Sequence, residues 1–560
     1  MSTPSTPRPR QHLRAGFLAG LIAGTCFTLV MVILARTIGL FSVPELVGYR
    51  IIASMPLALF SIGVEKFGGN AKQFLLVGTT IGQIVVGGFL GLLWASYADT
   101  LPGESRPNRR LPAVWQPSFF GGVVYAAILF VVIEVGIFAL VGAGLFGATL
   151  PAGVAATVVA GLIEVLVYGL TLAFLYRALM VPATAGAAAS TATPLTRRQL
   201  LVRFVFGIAA LAIGGSAILG LVRSPASNVK AKTGGRVGVG DLPPEITPTA
   251  EFYHVSKNFN DPKVAENGWK VDIGGLVDRP YSLTLAEIRT LPAVTETRTL
   301  CCISNEIGGD LISNATWKGA RLKDILDRAG VQSSAIKLMF GASDGYTDSI
   351  AIDKALTGDV IAVYEMNGAQ LPDDHGFPLR LLVPDIYGMK NVKWLTRISA
   401  VSDNYLGFWQ QQGWNDKAQI KTMSRIDFPV NRDLLPTGPA RMGGVAFAGA
   451  RGIAKIELSV DGGKSWQDGA IRKPLGPYSW VLWTANPSLT EGDHQVMVRA
   501  TDGTGTTQTE VTRSPLPDGA SGWHTISVRA ANGVTPPSGR RSTTDQGNGV
   551  PQLGNGSYGP

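Results

Sequence analysis

The chain has few cysteines, three among its 560 residues. Two of them, Cys301 and Cys302, are adjacent, and the third, Cys26, lies inside a long apolar run. Adjacent cysteines cannot join distant parts of a fold, so the sequence excludes a disulfide framework. Two explanations for the adjacent pair stay open. The thiols are small buried strand residues, or one of them is a thiolate that binds a soft metal.

Charged residues are also scarce, at 16% of the chain, and the mean hydropathy is +0.22. The apolar part extends to about residue 222, and from about residue 230 short strand-like runs alternate with Gly/Pro turns. The net charge is +9, but the sequence has no long basic stretch interleaved with aromatic residues. Many of the basic residues instead flank apolar runs. We therefore expect no nucleic-acid partner and attribute the charge to membrane topology.

Long apolar runs are abundant in the N-terminal part. Five of them have the roughly 20 residues that a bilayer crossing requires. These predicted spans are residues 15–36, 74–97, 119–147, 152–177 and 203–222. A shorter run at 51–64 contains Pro56, and whether it crosses, re-enters or lies at the interface stays open. The sequence thus predicts a membrane α-helical bundle in a lipid bilayer, with a multi-span domain at 1–180 and a last span within 181–247.

The basic residues also predict an orientation. Arginines within 8–14 place the N-terminus inside, because cytoplasmic flanks are rich in Lys and Arg. If 51–64 does not cross, everything after residue 222 lies outside. We therefore predict a multi-pass cell-membrane protein with an extracytoplasmic C-terminal part. The segment 196–201, Thr-Arg-Arg-Gln-Leu-Leu, resembles a twin-arginine signal for folded cargo, and ordinary flanking charge explains it equally well.

Histidine is missing from the predicted spans, although the chain has five histidines elsewhere. A membrane b-type haem needs axial histidines from the spanning helices, so we expect no membrane haem. Glu134 and Glu164 are the charged residues that lie well inside the confident spans. Such a carboxyl group marks a proton path or a quinone contact, or it is a neutral glutamate hydrogen-bonded between helices.

Four motif blocks follow one another in the C-terminal half. They are Phe-Tyr-His-Val-Ser-Lys-Asn (252–258), Cys-Ile-Ser-Asn (302–305), His-Gly-Phe-Pro-Leu-Arg (375–380) with Asn-Val-Lys (391–393), and Ile-Glu-Leu-Ser-Val-Asp-Gly-Gly (456–463). Together they resemble the sulfite oxidase family of molybdopterin-dependent oxidoreductases. The resemblance implies a mixed α+β molybdopterin domain at 248–430 and an immunoglobulin-like β-sandwich at 431–532. Residues 533–560 are expected to be a disordered tail, because they are rich in Gly, Pro, Ser, Asn and Gln.

The local patterns agree with those two domains. Residues 454–460 alternate and then turn at Asp461-Gly-Gly, which indicates a hairpin. Repeated short strands up to about residue 530 are typical of a β-sandwich. Residues 318–330 and 351–356 are predicted to be short helices among the strands of the first domain.

The resemblance also implies a cofactor, a molybdenum with one molybdopterin. The Cys-x-x-Asn register selects Cys302, and not Cys301, as the catalytic thiolate that ligates the metal. The positions that match the family's cofactor contacts are Tyr253, His254, Cys302, Asp344, His375, Arg380, Asn391, Val392 and Lys393. Arg380 and Lys393 suit a phosphate group. For Asp344 in Ser-Asp-Gly, a turn-capping role is an alternative.

The sequence departs from the family where the substrate binds. Ile307 and Val255 stand where sulfite oxidases have arginines for an anion, and Trp414, a candidate catalytic residue, stands where they have a tyrosine near the metal. Lys257 and Arg425 are the candidates to compensate for the missing charge.

These departures leave the substrate open. We expect an outward-facing enzyme that moves an oxygen atom and two electrons on a small or sulfur-containing substrate, with S-oxide reduction as a variant. A non-catalytic binding module of the same fold is the competing class. The expected partners are an external cytochrome or quinone-linked electron carrier and, through the sandwich, a second copy of the chain.

Overall fold

A computed structural model describes residues 9–38, 40–67, 71–98, 117–150, 152–180 and 242–534. The chain forms two compact units, the first ending at Asn228 and the second beginning at Val229. The predicted span at 203–222, the twin-arginine-like segment 196–201 and all but the start of the predicted tail lie outside the described residues.

The first unit is helical. Its α-helices are α1 (Pro9–Ile38), α2 (Val43–Ser54), α3 (Leu57–Phe67), α4 (Ala71–Ala98), α5 (Pro117–Val131), α6 (Phe138–Val141) and α7 (Gly153–Met180). Within the described ranges, four segments are long and apolar enough to cross a bilayer, namely His12–Thr37, Ala71–Ser96, Phe120–Val141 and Gly153–Leu179. They coincide with the first four predicted spans, and they indicate a membrane protein.

The short run at 51–64 does not form one spanning helix. Helix α2 begins at a capping box in which Ser42 and Glu45 satisfy each other's backbone N–H groups. The helical run is interrupted at Met55 and Pro56, and α3 begins directly afterwards. Proline has no N–H to donate, so it interrupts the hydrogen bonding of a helix. Each resulting helix is too short to cross a bilayer alone.

Close approach of helix backbones holds the bundle together. A methyl group at Gly20 or Gly91 would collide with the backbone of the opposite helix, so α1 and α4 pack through these glycines. This small-residue packing is typical of membrane helices, where no water drives apolar surfaces together. The hydroxyl of Tyr168 on α7 donates to the carbonyl of Gly87 on α4 at 2.6 Å, which connects a third helix.

The first part of the second unit is a mixed α+β domain, as predicted. Its strands are β1 (Lys270–Gly275), β2 (Tyr281–Thr284), β3 (Ala293–Cys301), β4 (Ile312–Arg321), β5 (Lys337–Ala342), β6 (Thr347–Ala351), β7 (Ile361–Met366), β8 (Ala369–Gln370), β9 (Arg380–Leu382) and β10 (Leu395–Val401). One sheet has the order β2-β1-β10-β5-β6, with β1 and β10 parallel, and another has the order β3-β4-β7-β8, with β9 beside β7.

Three short helices connect these strands, namely α8 (Leu285–Thr290), α9 (Leu322–Ala329) and α10 (Ile352–Leu356). Helices α9 and α10 correspond to the two helices predicted at 318–330 and 351–356. Helix α9 begins later than predicted because residues 318–321 complete β4 and pair with β7. The core of this domain lies between its sheets and these helices, and it includes Trp317, Leu338 and Phe340.

The second part of the unit is all β. Its strands are β11 (Met423–Phe428), β12 (Leu434–Pro436), β13 (Gly438–Pro439), β14 (Met442–Phe447), β15 (Ile453–Ser459), β16 (Gln467–Ile471), β17 (Val481–Ala485), β18 (Ser488–Leu489), β19 (Gly492–Asp502) and β20 (His524–Ala531). Eight of them follow the order β11-β14-β17-β16-β15-β19-β20-β12. Trp483 of β17 and Val498 of β19 belong to one core, as expected for a sandwich. Strand β11 precedes residue 431, so the sandwich begins before the predicted boundary.

Buried contacts fix the sandwich against the α+β domain. The guanidinium of Arg298 on β3 pairs with Glu296 at 2.7 Å and lies 4.8 Å from the ring of Tyr478. The hydroxyl of Ser479 donates to the carbonyl of Thr297 at 2.9 Å. These contacts support β3 shortly before its C-terminal end, which leads to Cys302.

Candidate active site

Strand β3 ends at Cys301, and Cys302 begins the turn that follows. The Cys302 N–H donates to the carbonyl of Leu311 at 2.9 Å, and the Cys302 carbonyl accepts from the Asn305 N–H at 3.0 Å. The side-chain oxygen of Asn305 accepts from the Leu311 N–H at 2.9 Å. Asn305 therefore joins the two sides of the turn by hydrogen bonds, and this explains why the asparagine lies three residues after Cys302.

The two adjacent cysteines face different cavities. Cys302 lines a cavity of about 820 Å³. Cys301 lines a smaller cavity of about 390 Å³ together with Ile307. Burial, together with the neighbouring Cys302, raises the pKa of Cys301, so this thiol stays protonated. The strand alternation that turns Cys301 away is the reason that Cys302 alone is available to the larger cavity.

The structure brings the predicted site residues together. The nine predicted cofactor contacts and Trp414 all line the cavity of Cys302. They come from loops and strand ends that are far apart in the sequence: the loop before β1, the turn after β3, the β5–β6 turn, the β8–β9 loop and the start of β9, the loop before β10, and the β10–β11 loop. That each of them contacts a cofactor stays a prediction.

Arg380 is a buried cation of this cavity. Its Nη1 donates to the carbonyl of His375 at 3.0 Å, and its Nη2 donates to the carbonyl of Asn391 at 3.3 Å. Its Nε has no hydrogen-bond partner among the described residues. Burial lowers the pKa of Arg380 to about 10, so the side chain stays charged at neutral pH. A buried guanidinium with an unused donor fits an anionic group.

Lys393 is the second cation, and it adjoins His254. The Lys393 ammonium donates to the carbonyl of Asp374 at 2.9 Å and lies 3.3 Å from Nε2 of His254. The same Nε2 is 2.5 Å from Oδ2 of Asp261. Burial and the charge of Lys393 lower the pKa of His254. Burial opposes the ionisation of Asp261, yet Lys393 and His254 outweigh it and hold the pKa of that carboxyl well below its usual range.

His375 is neutral beside these cations. Its ring lies 6.3 Å from the ring of His254, and its side chain is buried. Burial lowers the pKa of His375 to about 3, so the imidazole carries no charge at neutral pH. With both imidazoles neutral and Asp261 ionised, Arg380 and Lys393 leave this part of the cavity with a net positive charge.

Asp344, Asn391 and Val392 are likewise hydrogen-bonded within the protein. Asp344 accepts from Asn258 Nδ2 at 2.8 Å and from the Tyr346 N–H at 2.9 Å, and the second contact is the turn-capping bond that the sequence left open. The Asn391 side-chain oxygen accepts from the Val383 N–H at 2.7 Å. The Val392 carbonyl accepts from the Leu381 N–H. These residues shape the wall of the cavity whether or not they touch a ligand.

Sequence reasoning missed further residues of the cavity, among them Trp409 and Tyr346. Trp409 stacks on Trp414 with ring centroids 4.5 Å apart and planes 22° apart. The Tyr346 hydroxyl donates to Asp348, and it also lies 2.9 Å from the carbonyl of Met389. For Trp409 the sequence did contain an indication, because Trp409 and Trp414 belong to the same aromatic segment, 408–414.

A buried ion pair lies next to Tyr346. The ammonium of Lys390 is 2.9 Å from Oδ1 of Asp348, and the two side chains are 1% and 0% exposed. Lys390 also contacts Asp416 at 3.0 Å. A fully buried lysine requires such partners. No local sequence pattern indicates this pair, because its members lie on distant segments.

The next question is whether other cations replace the two arginines that sulfite oxidases use to bind their anionic substrate. Val255 lines the cavity, whereas Ile307 lines the smaller one. Arg425 is not among the lining residues, and it pairs with Asp427 at 2.8 Å. Lys257 lines the cavity but donates to the carbonyl of Asp344 at 2.9 Å and to Asn258 at 3.0 Å. Of the two predicted substitutes, Arg425 is therefore excluded, and Lys257 is tied to the wall.

Two family models match consecutive segments of this unit. Residues 258–409 match the oxidoreductase molybdopterin binding domain, and residues 418–530 match the Mo-co oxidoreductase dimerisation domain. The sulfite oxidase of Arabidopsis thaliana is 28% identical over 327 residues, which are 47% of this chain and 82% of that protein. The C-terminal half of this chain belongs to the sulfite oxidase family. Family membership in turn implies a molybdenum–molybdopterin cofactor.

The chain is also similar to two animal sulfite oxidases and, more weakly, to one solved structure. The mitochondrial sulfite oxidase of Drosophila melanogaster is 30% identical over 319 residues, covering 47% of this chain and 55% of that protein. The human mitochondrial enzyme is 28% identical over 330 residues, covering 50% of this chain and 60% of its own length. The chain thus spans little more than half of these two animal relatives. The sulfane dehydrogenase SoxCD from Paracoccus pantotrophus is similar over 50% of this chain and 83% of that chain, with a TM-score of 0.45 and 21% identity.

The cavity of this sulfite oxidase family domain fits the implied cofactor. Cys302 offers a soft thiolate for the metal. Arg380 and Lys393 offer charged donors for a phosphate, and the unpartnered Nε of Arg380 is a buried donor that a phosphate oxygen would satisfy. The described residues contain no cluster of three or more His, Cys, Asp or Glu side chains with metal-binding spacing.

Proposed function

We propose that this chain is a membrane-anchored molybdenum oxidoreductase that transfers an oxygen atom on a neutral sulfur compound, such as a sulfide–sulfoxide pair. The observation that carries the proposal is one cavity that brings together Cys302, the cations Arg380 and Lys393, and an apolar Val255 at the position of a substrate-binding arginine in sulfite oxidases. Membership of the sulfite oxidase family supports the oxidoreductase class.

Cys302 would ligate the metal, and Arg380 and Lys393 would hold the phosphate of the cofactor. When bound, the cofactor supplies a metal centre whose oxidation state changes by two electrons. The neutral imidazoles of His254 and His375 would offer hydrogen bonds to the pterin without adding charge. Asn305 would keep the Cys302 turn rigid, because it bonds across that turn.

The remaining lining of the cavity supports a neutral substrate. Val255, Ile303, Met389, Trp409 and Trp414 give it an apolar character. Each charge-assisted contact that sulfite would lose costs about 1.5–3 kcal/mol. A sulfoxide needs one hydrogen-bond donor for its oxygen and an apolar surface for its carbon groups, and such a lining supplies that surface.

Orientation and partners form part of the proposal. Arginines within 8–14 and at 197–198 support a C-terminal half that lies outside the cell membrane. The match of residues 418–530 to a dimerisation domain supports a homodimer through the sandwich. The electron carrier would be an external cytochrome or a quinone-linked protein.

A substrate screen of the metal-loaded full-length protein tests the proposed function. An artificial electron donor or acceptor supplies or removes electrons, and dimethyl sulfoxide, methionine sulfoxide and sulfite are compared. We expect turnover of the neutral sulfoxides with kcat/KM at least tenfold above that of sulfite. Preference for sulfite would contradict the substrate class, and absence of turnover with molybdenum fully bound would favour a binding module.

The Val255→Arg variant tests the reason for that preference. Val255 lines the cavity and is 39% exposed, so a longer side chain has room there. One new charge-assisted contact of about 1.5–3 kcal/mol should raise kcat/KM for sulfite by about 10- to 100-fold. Val255→Gln is the uncharged control and should leave sulfite turnover unchanged. Equal gains in both variants would show that charge does not set the preference.

A further inference from the structure

The helical unit contains a cavity that is separate from the molybdopterin site. It has a volume of about 440 Å³, and its lining includes Glu134, Glu164, Phe41, Phe130 and Phe138. Both glutamates lie inside segments that are long and apolar enough to cross a bilayer. The predominantly apolar lining with a few polar groups is typical of ligand pockets.

Glu134 has no partner in this cavity. Its side chain is 1% exposed, and neither carboxyl oxygen has a hydrogen-bond partner within the described parts of the chain. A buried polar group without a partner costs free energy that a ligand can recover. Among the described residues, therefore, no helix supplies the interhelical hydrogen bond that is the alternative role for Glu134.

The backbone is built around this carboxyl group. Glu134 lies in a π-helical turn at Val132–Ile137 between α5 and α6, a distortion that is frequent at functional sites. On α7, Gly161 faces the carboxyl group, and a methyl group there would collide with Oε1 of Glu134. A helix interior would otherwise favour alanine over glycine by about 1 kcal/mol. Both features make room for the carboxyl group at a cost to the helices.

The chemistry of the cavity selects the ligand. An ionised carboxylate is costly at this depth, whereas the neutral acid offers an O–H donor and a carbonyl acceptor. A metal cation would need several oxygen ligands, and most of the other lining residues are apolar. A quinone ring carries two carbonyl acceptors, its reduced form carries two hydroxyl donors, and a carboxyl group can pair with either. The three phenylalanines supply aromatic surface for the ring.

We propose that this cavity, with Glu134 as its hydrogen-bonding group, binds the head group of a lipid-soluble quinone. Binding at this site does not depend on the molybdenum centre. The site can therefore be tested in protein that contains no cofactor, and its failure would leave the proposed oxidoreductase function untouched.

The first test uses the unmodified full-length protein in lipid nanodiscs. Dicyclohexylcarbodiimide, which modifies neutral carboxyl groups in apolar surroundings, should label Glu134, as read by peptide mass spectrometry. Decylubiquinone should protect Glu134 with a saturable dose dependence, and decane-1-ol should not protect it. Labelling that is unaffected by decylubiquinone at saturating concentrations would overturn the proposal. Protection by sodium ions alone would also overturn it, in favour of a cation site.

The second test uses a matched pair of glycine variants. Gly161→Ala displaces the Glu134 carboxyl, whereas Gly136→Ala adds a methyl group in the same π-helical turn with no atom within 4 Å. Decylubiquinone affinity should fall about tenfold in Gly161→Ala, the equivalent of one hydrogen bond, and stay unchanged in Gly136→Ala. Glu134→Met should lose affinity to a similar extent. Wild-type affinity in both Gly161→Ala and Glu134→Met would overturn the proposal.

Discussion

Replacing Arg380 by methionine tests whether this side chain is needed for cofactor binding or for the stability of the fold. Arg380 is buried, and its guanidinium donates only to the carbonyls of His375 and Asn391 among the described residues, with Nε unused. No carboxylate in the described part of the chain forms a hydrogen bond with it, so without an anion this side chain is a buried charge held only by carbonyl groups. Methionine has a similar length and removes the charge.

The structure gives opposite expectations for the two forms of the protein. In cofactor-free protein, the two lost bonds to carbonyls are offset by removal of a desolvated charge, so stability should change by less than about 2 kcal/mol. In cofactor-bound protein, loss of the contact with the phosphate should cost about 3 kcal/mol. That cost corresponds to about 100-fold faster release of the cofactor.

The assay follows release of the fluorescent pterin and of molybdenum after dilution into cofactor-free buffer. Arg380→Lys keeps the charge without the planar fork and should be intermediate. Arg298→Met is the matched control, since Arg298 is another buried arginine that lies outside the cavity. It should lower stability and leave the release rate unchanged. A wild-type release rate in Arg380→Met would refute the phosphate-binding role.

Two further predictions concern stability. Lys390→Met leaves Asp348 buried without its main partner and should lower the free energy of unfolding by about 3–5 kcal/mol, as measured by chemical denaturation. Combining Lys390→Met with Asp348→Asn should recover much of that stability. Equal losses of stability in the single and double variants would show that the pair is not coupled. The lowered pKa of His375, about 3, means that the folded state binds fewer protons than the unfolded state below pH 6.5. Its contribution is fully present above pH 6.5 and is lost as the pH falls, by about 2 kcal/mol at pH 5. His375→Gln should reduce this pH dependence, and an unchanged slope would contradict the neutral, buried imidazole.

Much of the site could be predicted from the sequence because its key residues lie in compact motifs. The Cys-x-x-Asn spacing distinguishes Cys302 from Cys301, and the structure places these two in different cavities. Hydropathy located the four described spans, since a bilayer sets their length. The hairpin at 454–463 followed from alternation and its Gly-Gly turn, where Gly462 and Gly463 have positive φ.

What the sequence could not predict depends on long-range packing. Strand β11 pairs with β14 and so joins the sandwich, although its own pattern does not distinguish the two domains. The Lys390–Asp348 pair joins two distant segments. The unused oxygens of Glu134 and the room made by Gly161 depend on the contact of two helices. Arg425 was a candidate for substrate charge until its partner Asp427 and its position outside the cavity were known.

X-ray absorption at the molybdenum edge tests most directly whether Cys302 holds the metal. The wild-type protein is compared with Cys302→Ser and with Cys301→Ser, which changes the neighbouring thiol in the other cavity. We predict that Cys302→Ser loses one sulfur ligand at molybdenum and its activity, while it keeps its fold, and that Cys301→Ser keeps the full sulfur count. The same number of sulfur ligands in Cys302→Ser and wild type would contradict the assignment.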